Sequence, residues 1–135
     1  MAQSELILAD TSVWIDYLRG ASSPAILEFD QRLDDHAVMI CGPVAAELLT
    51  GMQAKQRMRM WETFAALPWL DVDRAHWFTA GDVRARLRER GVQVSLPDVL
   101  IAAAASGRAT LWTRDRHFEP IAELLESLEL KLLDD

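Results

Sequence analysis

Four acidic residues lie at or near places where an apolar segment of this sequence gives way to another element. Asp10 ends the run LILAD, Asp98 opens LPDVLIAAAASG, Asp115 comes two residues after TLWT, and Glu47 follows the run AVMIC. Carboxylates that lie close together repel one another unless a cation neutralises them. Mg²⁺ and Mn²⁺ prefer oxygen ligands, and such a cation can activate water and stabilise the leaving oxygen of a phosphodiester. If the fold gathers these acids, the chemistry they favour is metal-dependent hydrolysis.

Short β-like runs alternate with helix-like segments, and this order decides where the acids lie. Strands are predicted at residues 6–10, 37–41, 69–72, 110–113 and 128–133. Helices are predicted at 12–19, from 23 onward, at 42–51, at 55–67, in the segment that ends at Gly91, at 96–107 and at 119–128. The order predicts a three-layer α/β/α sandwich with a central, mainly parallel five-stranded sheet, in a single domain over residues 1–135.

A parallel sheet binds ligands beyond the carboxyl ends of its strands. Asp10 and Asp115 follow strands, and Glu47 lies early in the helix that leaves the second strand. Asp98 begins a crossover helix, which starts at the same edge and runs back antiparallel to the strands. We therefore predict one site in which all four acids are catalytic residues and metal ligands. Three hydroxyl residues are predicted to orient these ligands or bound water: Thr11, Ser12 and Thr113.

Each acid also has a purely structural interpretation. Asp98 lies in Ser95-Leu96-Pro97-Asp98, which fits a helix capping box. Asp10 can cap the helix after it, Asp115 can stabilise a turn, and Glu47 can be an exposed helix residue. Both interpretations are open for each residue taken alone. The metal-site hypothesis depends on the position that the four acids share at one edge of the sheet.

The overall composition limits the classes of protein that fit. Half of the 135 residues are apolar and the net charge is −7. This charge argues against a protein that binds nucleic acid through its overall charge, because phosphate binding depends mainly on lysine and arginine. No apolar stretch is long enough to cross a bilayer, and the start MAQSELIL lacks a secretory pattern. We expect a cytoplasmic protein with no membrane partner and one buried thiol, Cys41.

Four blocks of sequence together resemble a known family. They are DTSVWIDYLRG (10–20), GPVAAELLTG (42–51), SLPDVLIAAAA (95–105) and LWTRDRHF (111–118). They resemble the PIN-domain ribonucleases, in particular the VapC toxins of bacterial toxin–antitoxin pairs, and they occur in the family's order. The resemblance implies a compact α/β/α domain and an endoribonuclease that depends on Mg²⁺ or Mn²⁺. It carries the family's acidic residues onto Asp10, Glu47, Asp98 and Asp115, where family members vary most at Asp115, and a hydroxyl position onto Thr113.

The resemblance also implies partners. VapC toxins usually pair with a small antitoxin, VapB, which wraps an apolar groove and blocks the site, and they are commonly homodimers that act on RNA. Large apolar residues of neighbouring helices are candidates for this groove, although an interpretation as core residues also fits them: Trp14, Tyr17, Leu18, Leu48, Met52, Met58 and Trp61.

The segment RARLRERG concentrates basic residues in the long helix that ends near Gly91. Arg84 and Arg88 are candidates for contacts with RNA phosphates, while a solvated helix face is the simpler interpretation. Four residues of this helix are predicted to face the core: Trp77, Ala80, Val83 and Leu87. The three histidines have no metal-ligand spacing and are interpreted as structural or surface residues: His36, His76 and His117.

Three other functional classes compete with the nuclease. A phosphorylated receiver domain needs paired acids after the first strand and a lysine after a late one, whereas Thr11 follows Asp10 and Lys131 lies within the last predicted strand. An aspartate-nucleophile phosphatase needs a second aspartate where Ser12 stands. A catalytically idle PIN-like binding module remains the alternative, and it would bind a partner without metal-dependent cleavage.

Overall fold

The computed structural model describes residues 5–135 of the chain, in which strands and helices alternate. The elements are β1 (Ile7–Ala9), α1 (Thr11–Leu18), α2 (Pro24–Asp34), β2 (Val38–Met39), α3 (Gly42–Thr50), α4 (Ala54–Ala65), α5 (Arg74–Glu89), α6 (Leu96–Ala105), β3 (Thr110–Thr113), α7 (Phe118–Glu123) and β4 (Glu129–Leu132). No helix in this part of the chain is long and apolar enough to span a bilayer.

The four strands form one parallel sheet in the order β2-β1-β3-β4. Ile7 of β1 pairs with Val38 on one side and with Thr110 on the other. Every residue of β1 and β3 is buried, as expected for central parallel strands covered on both faces. Helices flank the sheet: α1 packs against α2 and α3, whereas α6 packs against α5 and α7. The prediction of an α/β sandwich is confirmed.

The predicted fifth strand at residues 69–72 is wrong, because this segment forms only one bridge. Trp69 pairs with Ile40, through bonds from the Ile40 amide to the Pro68 carbonyl (2.9 Å) and from the Leu70 amide to the Ile40 carbonyl (2.8 Å). The pairing cannot lengthen, since Cys41 already precedes α3 and Asp73 already caps α5. The sheet therefore has four strands and not five.

Two further expectations about helices differ from the structure. The last helix ends at Glu123, well before residue 128. Trp77 is 54% exposed and does not face the core, whereas Ala80, Val83 and Leu87 do. Trp77 lies in the first turn of α5, beside the segment that failed to become a strand. An apolar residue near a helix end can match the periodicity and still lie beyond the edge of the core.

Aromatic side chains join the elements around the first strand into one core. The ring of Trp14 is only 1% exposed and makes edge-to-face contacts with Phe29 (centroids 5.1 Å apart) and Phe64 (5.5 Å apart). Cys41 is buried, as predicted, and burial raises the pKa of its thiol to about 11. These contacts fix α1 against α2 and α4, and with α1 the residues that follow β1.

Candidate active site

Asp10 follows β1 directly and caps α1, so the structural interpretation of this residue is confirmed. Its Oδ1 accepts hydrogen bonds from the backbone amides of Ser12 (3.0 Å) and Val13 (3.4 Å) and from the Ser12 hydroxyl (2.5 Å). The residue is only 5% exposed. Burial raises the pKa of the Asp10 carboxyl, and these hydrogen bonds oppose the rise.

Capping does not use the whole carboxylate of Asp10. Its Oδ2 accepts one hydrogen bond, from the Thr113 hydroxyl at 2.5 Å. A carboxylate oxygen has two lone pairs, so Oδ2 keeps capacity for a further ligand. Capping through Oδ1 and metal binding through Oδ2 are therefore compatible, and the two interpretations of Asp10 do not exclude each other.

Two hydroxyl groups connect Asp10 to the loop that carries Asp115. The Ser12 hydroxyl donates to Asp10 and accepts from the Arg114 amide at 3.1 Å. The Thr113 hydroxyl donates to Asp10 and accepts from the Asp115 amide at 2.9 Å. Ser12 and Thr113 thus contact Asp10 as expected of residues that orient a ligand.

Thr11 does not share this arrangement. Its hydroxyl makes no hydrogen bond with Asp10, and the residue lies on the wall of a neighbouring apolar groove. The structure therefore gives Thr11 no direct contact with the Asp10 carboxylate, and a role of Thr11 in orienting bound water stays a prediction.

Asp98 lies in the first turn of α6, where the capping box predicted from the sequence forms only in part. The Ser95 hydroxyl accepts from the Asp98 amide at 3.2 Å. The Asp98 carboxylate makes no reciprocal bond to the Ser95 amide, so that capping does not account for this carboxylate. Burial raises the pKa of Asp98, the charge of Asp115 raises it further, and Ser95 opposes the rise.

Glu47 is an exposed residue of α3, as its structural interpretation predicts, and it is only partly desolvated. Burial raises the pKa of its carboxyl, and the charges of Asp98 and then Asp10 raise it further. Within residues 5–135, Glu47 makes no salt bridge with a basic residue. The fold thus holds Asp10, Glu47 and Asp98 near one another with an unbalanced negative charge.

Asp115 stabilises the turn that follows β3, as its structural interpretation predicts. Its Oδ1 accepts from the His117 amide at 2.8 Å and lies 2.7 Å from Nδ1 of the same histidine. The sequence analysis compared the histidines only with metal-ligand spacings. The contact between Asp115 and His117 depends instead on their separation of two residues within a turn. His36 and His76 lie elsewhere; His76 belongs to the capping box of α5.

The sequence did not single out the ion pair between Asp16 and Arg114. The Arg114 Nε donates to Oδ2 of Asp16, and Nη1 of the same arginine donates to the Asp135 carbonyl at 2.7 Å. The pair joins α1 to the loop after β3, the two segments that follow Asp10 and precede Asp115. The only sequence feature that could have indicated this pair is that Asp16 and Arg114 each lie inside a block that resembles the family.

The donors at this site suit a hard divalent cation, because carboxylate oxygens are its preferred ligands. Among residues 5–135, no three histidine, cysteine, aspartate or glutamate side chains are placed closely enough to hold a metal ion by themselves. Mg²⁺ needs only one or two protein carboxylates and completes its shell with water and phosphate oxygens. The residues therefore fit such a cation, while direct ligation by all four acids stays a prediction.

The residues proposed for the apolar groove separate into different places. A groove of about 430 Å³ lies between α1, α3 and the start of α4, and its lining includes Ile15, Leu18, Leu48 and Met52. Trp14 is in the core and cannot line a surface, so its assignment to the groove is wrong. Tyr17 donates its hydroxyl to Asp30 on α2, and Trp61 packs against Trp69 away from the groove. Met58 is exposed and does not line the groove either.

Comparison with known proteins adds independent information about the family and the fold. The PIN domain family model matches residues 7–124. Ribonuclease VapC11 of Mycobacterium tuberculosis is 36% identical over 125 residues, which cover 88% of this chain and 93% of that protein. Ribonuclease VapC32 of the same organism is 33% identical over 114 residues, covering 84% and 88%.

Solved structures show the same architecture. The chain resembles a structure of VapBC-5 from Mycobacterium tuberculosis with a TM-score of 0.67 and 26% identity, over 96% of this chain and 99% of that one. A structure of VapBC2 from Rickettsia felis, bound to a DNA fragment from its promoter, matches with a TM-score of 0.74 and 21% identity over the same shares. From the family match, the sequence identity and the shared fold, the chain belongs to the PIN-domain family and, within it, to the VapC ribonucleases.

Proposed function

We propose that this chain is the endoribonuclease toxin of a toxin–antitoxin pair and that it hydrolyses RNA phosphodiester bonds with the help of Mg²⁺ or Mn²⁺. Asp10, Glu47 and Asp98 hold the principal cation, directly or through water, and Asp115 assists or helps to bind a second ion. A catalytically idle binding module is the alternative that the experiment below separates from this proposal.

One observation carries the proposal: Asp10 follows β1, Glu47 lies on α3 and Asp98 lies in the first turn of α6, and the charges of Asp98 and Asp10 are close enough to Glu47 to raise its pKa. Asp10 also caps α1, but capping uses only one of its two oxygens, and mutual repulsion disfavours three ionised carboxylates held near one another. A bound cation would remove this repulsion, so that all three carboxylates could stay ionised and serve as ligands. The ribonuclease names of the relatives agree with this chemistry.

The chain's own residues orient the reaction. The hydroxyls of Ser12 and Thr113 hold the two oxygens of Asp10 in fixed directions. The same hydroxyls hold the backbone that leads to Asp115. A bound divalent cation would lower the pKa of a nearby water and neutralise charge on the phosphate and the leaving oxygen. Fixed carboxylates lower the reorganisation needed in the transition state.

The test is cleavage of total cellular RNA by purified, antitoxin-free protein in Mg²⁺ or Mn²⁺. We expect discrete cuts that EDTA abolishes, and mapping of the ends identifies the RNA. Asp98→Asn keeps the shape of the side chain but removes the negative charge. It should reduce cleavage about a hundredfold or more, since a metal contributes several kcal/mol to such a step.

Asp82→Asn is the matched control, because Asp82 is an exposed residue of α5 paired with Arg86. It should cleave like the wild type. Cleavage that persists in Asp98→Asn would overturn the site, and the absence of both cleavage and metal binding in the wild type would favour the idle binding module.

The partner we propose is a VapB-like antitoxin whose apolar segment lies in the groove between α1, α3 and α4. The groove ends beside Glu47, so an occupant can reach the acidic site. Its exposed walls, Ile15 and Leu18, are apolar residues that the isolated chain leaves uncovered. We also propose a toxin homodimer in the cytoplasm, where RNA is available; light scattering of the free protein measures the oligomeric state.

A further inference from the structure

Another cavity lies between α5 and the segment that leads into α6. It is lined by none of the four acids Asp10, Glu47, Asp98 and Asp115, which we call the acidic cluster. It has a volume of about 440 Å³ and is lined by Arg84, Arg88 and residues 92–95. The two arginines are four positions apart on α5, so they lie on the same face of the helix. Both arginine side chains therefore line this cavity from one face of α5.

These two guanidinium groups have no acidic partner. Within residues 5–135 neither arginine takes part in an ion pair, whereas Arg86, on another face of α5, pairs with Asp82 at 3.7 Å. The Nε of Arg84 donates to the Val94 carbonyl at 3.0 Å, which holds this side chain against the cavity wall. Its terminal nitrogens remain available as donors. Like charges at this spacing repel each other, so an anion between them would relieve the repulsion.

The cavity adjoins the proposed cleavage site. Ser95 lines the cavity and also caps α6 through its hydroxyl, which accepts from the Asp98 amide at 3.2 Å. A residue of the cavity wall therefore contacts the backbone of Asp98 directly, at the start of the helix that carries this acid. A strand whose scissile phosphate lies at the acids would pass close to the two arginines.

The negative charge of the chain favours a basic contact site for an RNA substrate. The chain has a net charge of −7, and its acidic cluster adds local repulsion toward a polyanion. Arginine matches the geometry of a phosphate group and can donate two parallel hydrogen bonds to it. A pair of unpaired arginines beside the cleft offsets the repulsion where the strand enters or leaves.

We propose that the cavity of Arg84 and Arg88 binds a backbone phosphate of the RNA strand beside the cleaved bond. This inference rests on the proposed function and adds the place where the substrate is held. The contact is to the backbone, so it fixes the position of the strand and does not read its sequence.

The experiment compares two double variants of one helix, Arg84→Gln/Arg88→Gln and Arg86→Gln/Arg90→Gln. Each removes two positive charges from α5 or its C-cap, but only the first removes them from the cavity. Arg88→Gln alone serves as a second variant, because it leaves the bond between Arg84 and Val94 intact. The probe is a fluorescent single-stranded RNA of about 12 nucleotides, titrated with protein at several salt concentrations.

The cavity variant should bind this RNA about tenfold more weakly or worse, the change expected when one charge-assisted hydrogen bond is removed. The slope of log K against log salt should become shallower by about 0.7 for each RNA phosphate that an arginine no longer neutralises. With RNA that the wild type cuts, KM should rise by a similar factor while kcat stays near that of the wild type. The control variant should differ much less in all three quantities.

The outcomes separate this proposal from the proposed function. Equal binding and KM in the two double variants, with normal cleavage by the wild type, would overturn the phosphate site and leave the nuclease intact. Arginine-dependent RNA binding without any cleavage would support the site and overturn the nuclease. Failure of the wild type to bind RNA would overturn both. Loss of antitoxin affinity with unchanged RNA binding would assign the cavity to the protein partner and overturn the proposal.

Discussion

At the scale of single residues, Asp10 shows how one carboxylate can serve both the fold and the site. One of its oxygens caps α1, and the other accepts a single hydroxyl hydrogen bond. In the sequence, capping and metal binding are rival interpretations of this residue, but the two oxygens of a carboxylate are separate acceptors. A residue at the end of a parallel strand can start the next helix and still contribute to the cleft beyond it.

The raised pKa of Asp98 predicts a gain in stability when its charge is removed. In the folded chain this pKa lies above its ordinary value of 3.8, mainly because of burial. The neutral carboxyl therefore favours folding below pH 3.8, and this contribution is lost as the pH rises through the folded-state pKa. In EDTA at pH 7, Asp98→Asn should melt at a higher temperature than the wild type, and the difference should shrink as the pH falls toward 3.8. Calorimetry measures both.

The control for this measurement is again Asp82→Asn, whose exposed side chain gives no such gain. A lower melting temperature for Asp98→Asn at pH 7 would contradict the prediction and would mean that the charge stabilises the start of α6 more than burial opposes it. In saturating Mg²⁺ the wild type should melt at a higher temperature than Asp98→Asn, because only the wild type keeps the full set of carboxylates that bind the cation.

At the scale of elements, the site depends on how α1 and the loop after β3 are held together. Three connections join them: the Ser12 hydroxyl to the Arg114 amide, the Thr113 hydroxyl to Asp10, and the ion pair between Asp16 and Arg114. The hydroxyl connections run through the carboxylate of Asp10 itself, whereas the ion pair acts from outside. We therefore expect Arg114 to act as a positioning residue of this site.

Loss of the ion pair should displace the acids without removing any of them. We expect Asp16→Asn and Arg114→Gln each to lower kcat about ten- to a hundredfold with little change in KM, because small displacements of reacting groups cost this much. The exchanged pair, Asp16→Arg with Arg114→Asp, should recover part of the loss. Single-turnover cleavage over a range of protein concentrations separates the two constants.

The exposed pair of Asp82 and Arg86 provides the comparison for this experiment. Its removal by Arg86→Gln should leave kcat unchanged, since surface pairs of this kind contribute little and lie away from the acids. If the exchanged pair is no better than the two single variants, Arg114 acts through its bond to the Asp135 carbonyl and not through Asp16.

At the scale of the whole molecule, an apolar groove and a basic cavity both lie near the acidic cluster and are lined by different residues. Glu47 lines the groove, and Ser95, the N-cap of the helix that contains Asp98, lines the cavity. An occupant of the groove can therefore compete for the acids without filling the basic cavity. This arrangement separates the surface proposed for the protein partner from the surface proposed for RNA.

The groove predicts a selective loss of antitoxin affinity. Leu18→Asp places a charge in an apolar wall and should raise the dissociation constant of the cognate antitoxin about tenfold or more, with RNA cleavage by the free protein retained. Leu27→Asp is the matched control, because Leu27 is 58% exposed on α2, outside the groove. Calorimetric titration with purified antitoxin gives both constants, and equal constants would exclude this groove as the docking site.

The sequence alone determined the order of the elements and the position of the acids within it. Alternation of strands and helices follows from local patterns of apolar residues, and those patterns correctly placed β1, β3, α3 and α6 to within a few residues. Four blocks sufficed for the family because its motifs lie at strand ends and helix starts, which local sequence marks. Asp10, Glu47 and Asp98 were assigned to one edge of the sheet in this way, and their roles as metal ligands stay predictions.

Tertiary structure decided what local patterns cannot express. Residues 69–72 resemble a strand, but the partner strand turns into α3 after Met39–Ile40 and leaves only one bridge. Trp14 has the composition of a docking residue, yet α2 and α4 cover it with Phe29 and Phe64. Burial, ion pairs such as Asp16 with Arg114, and the cavity beside Asp98 all depend on segments far apart in the sequence. Periodicity describes which residues share a face, and only packing decides what covers that face.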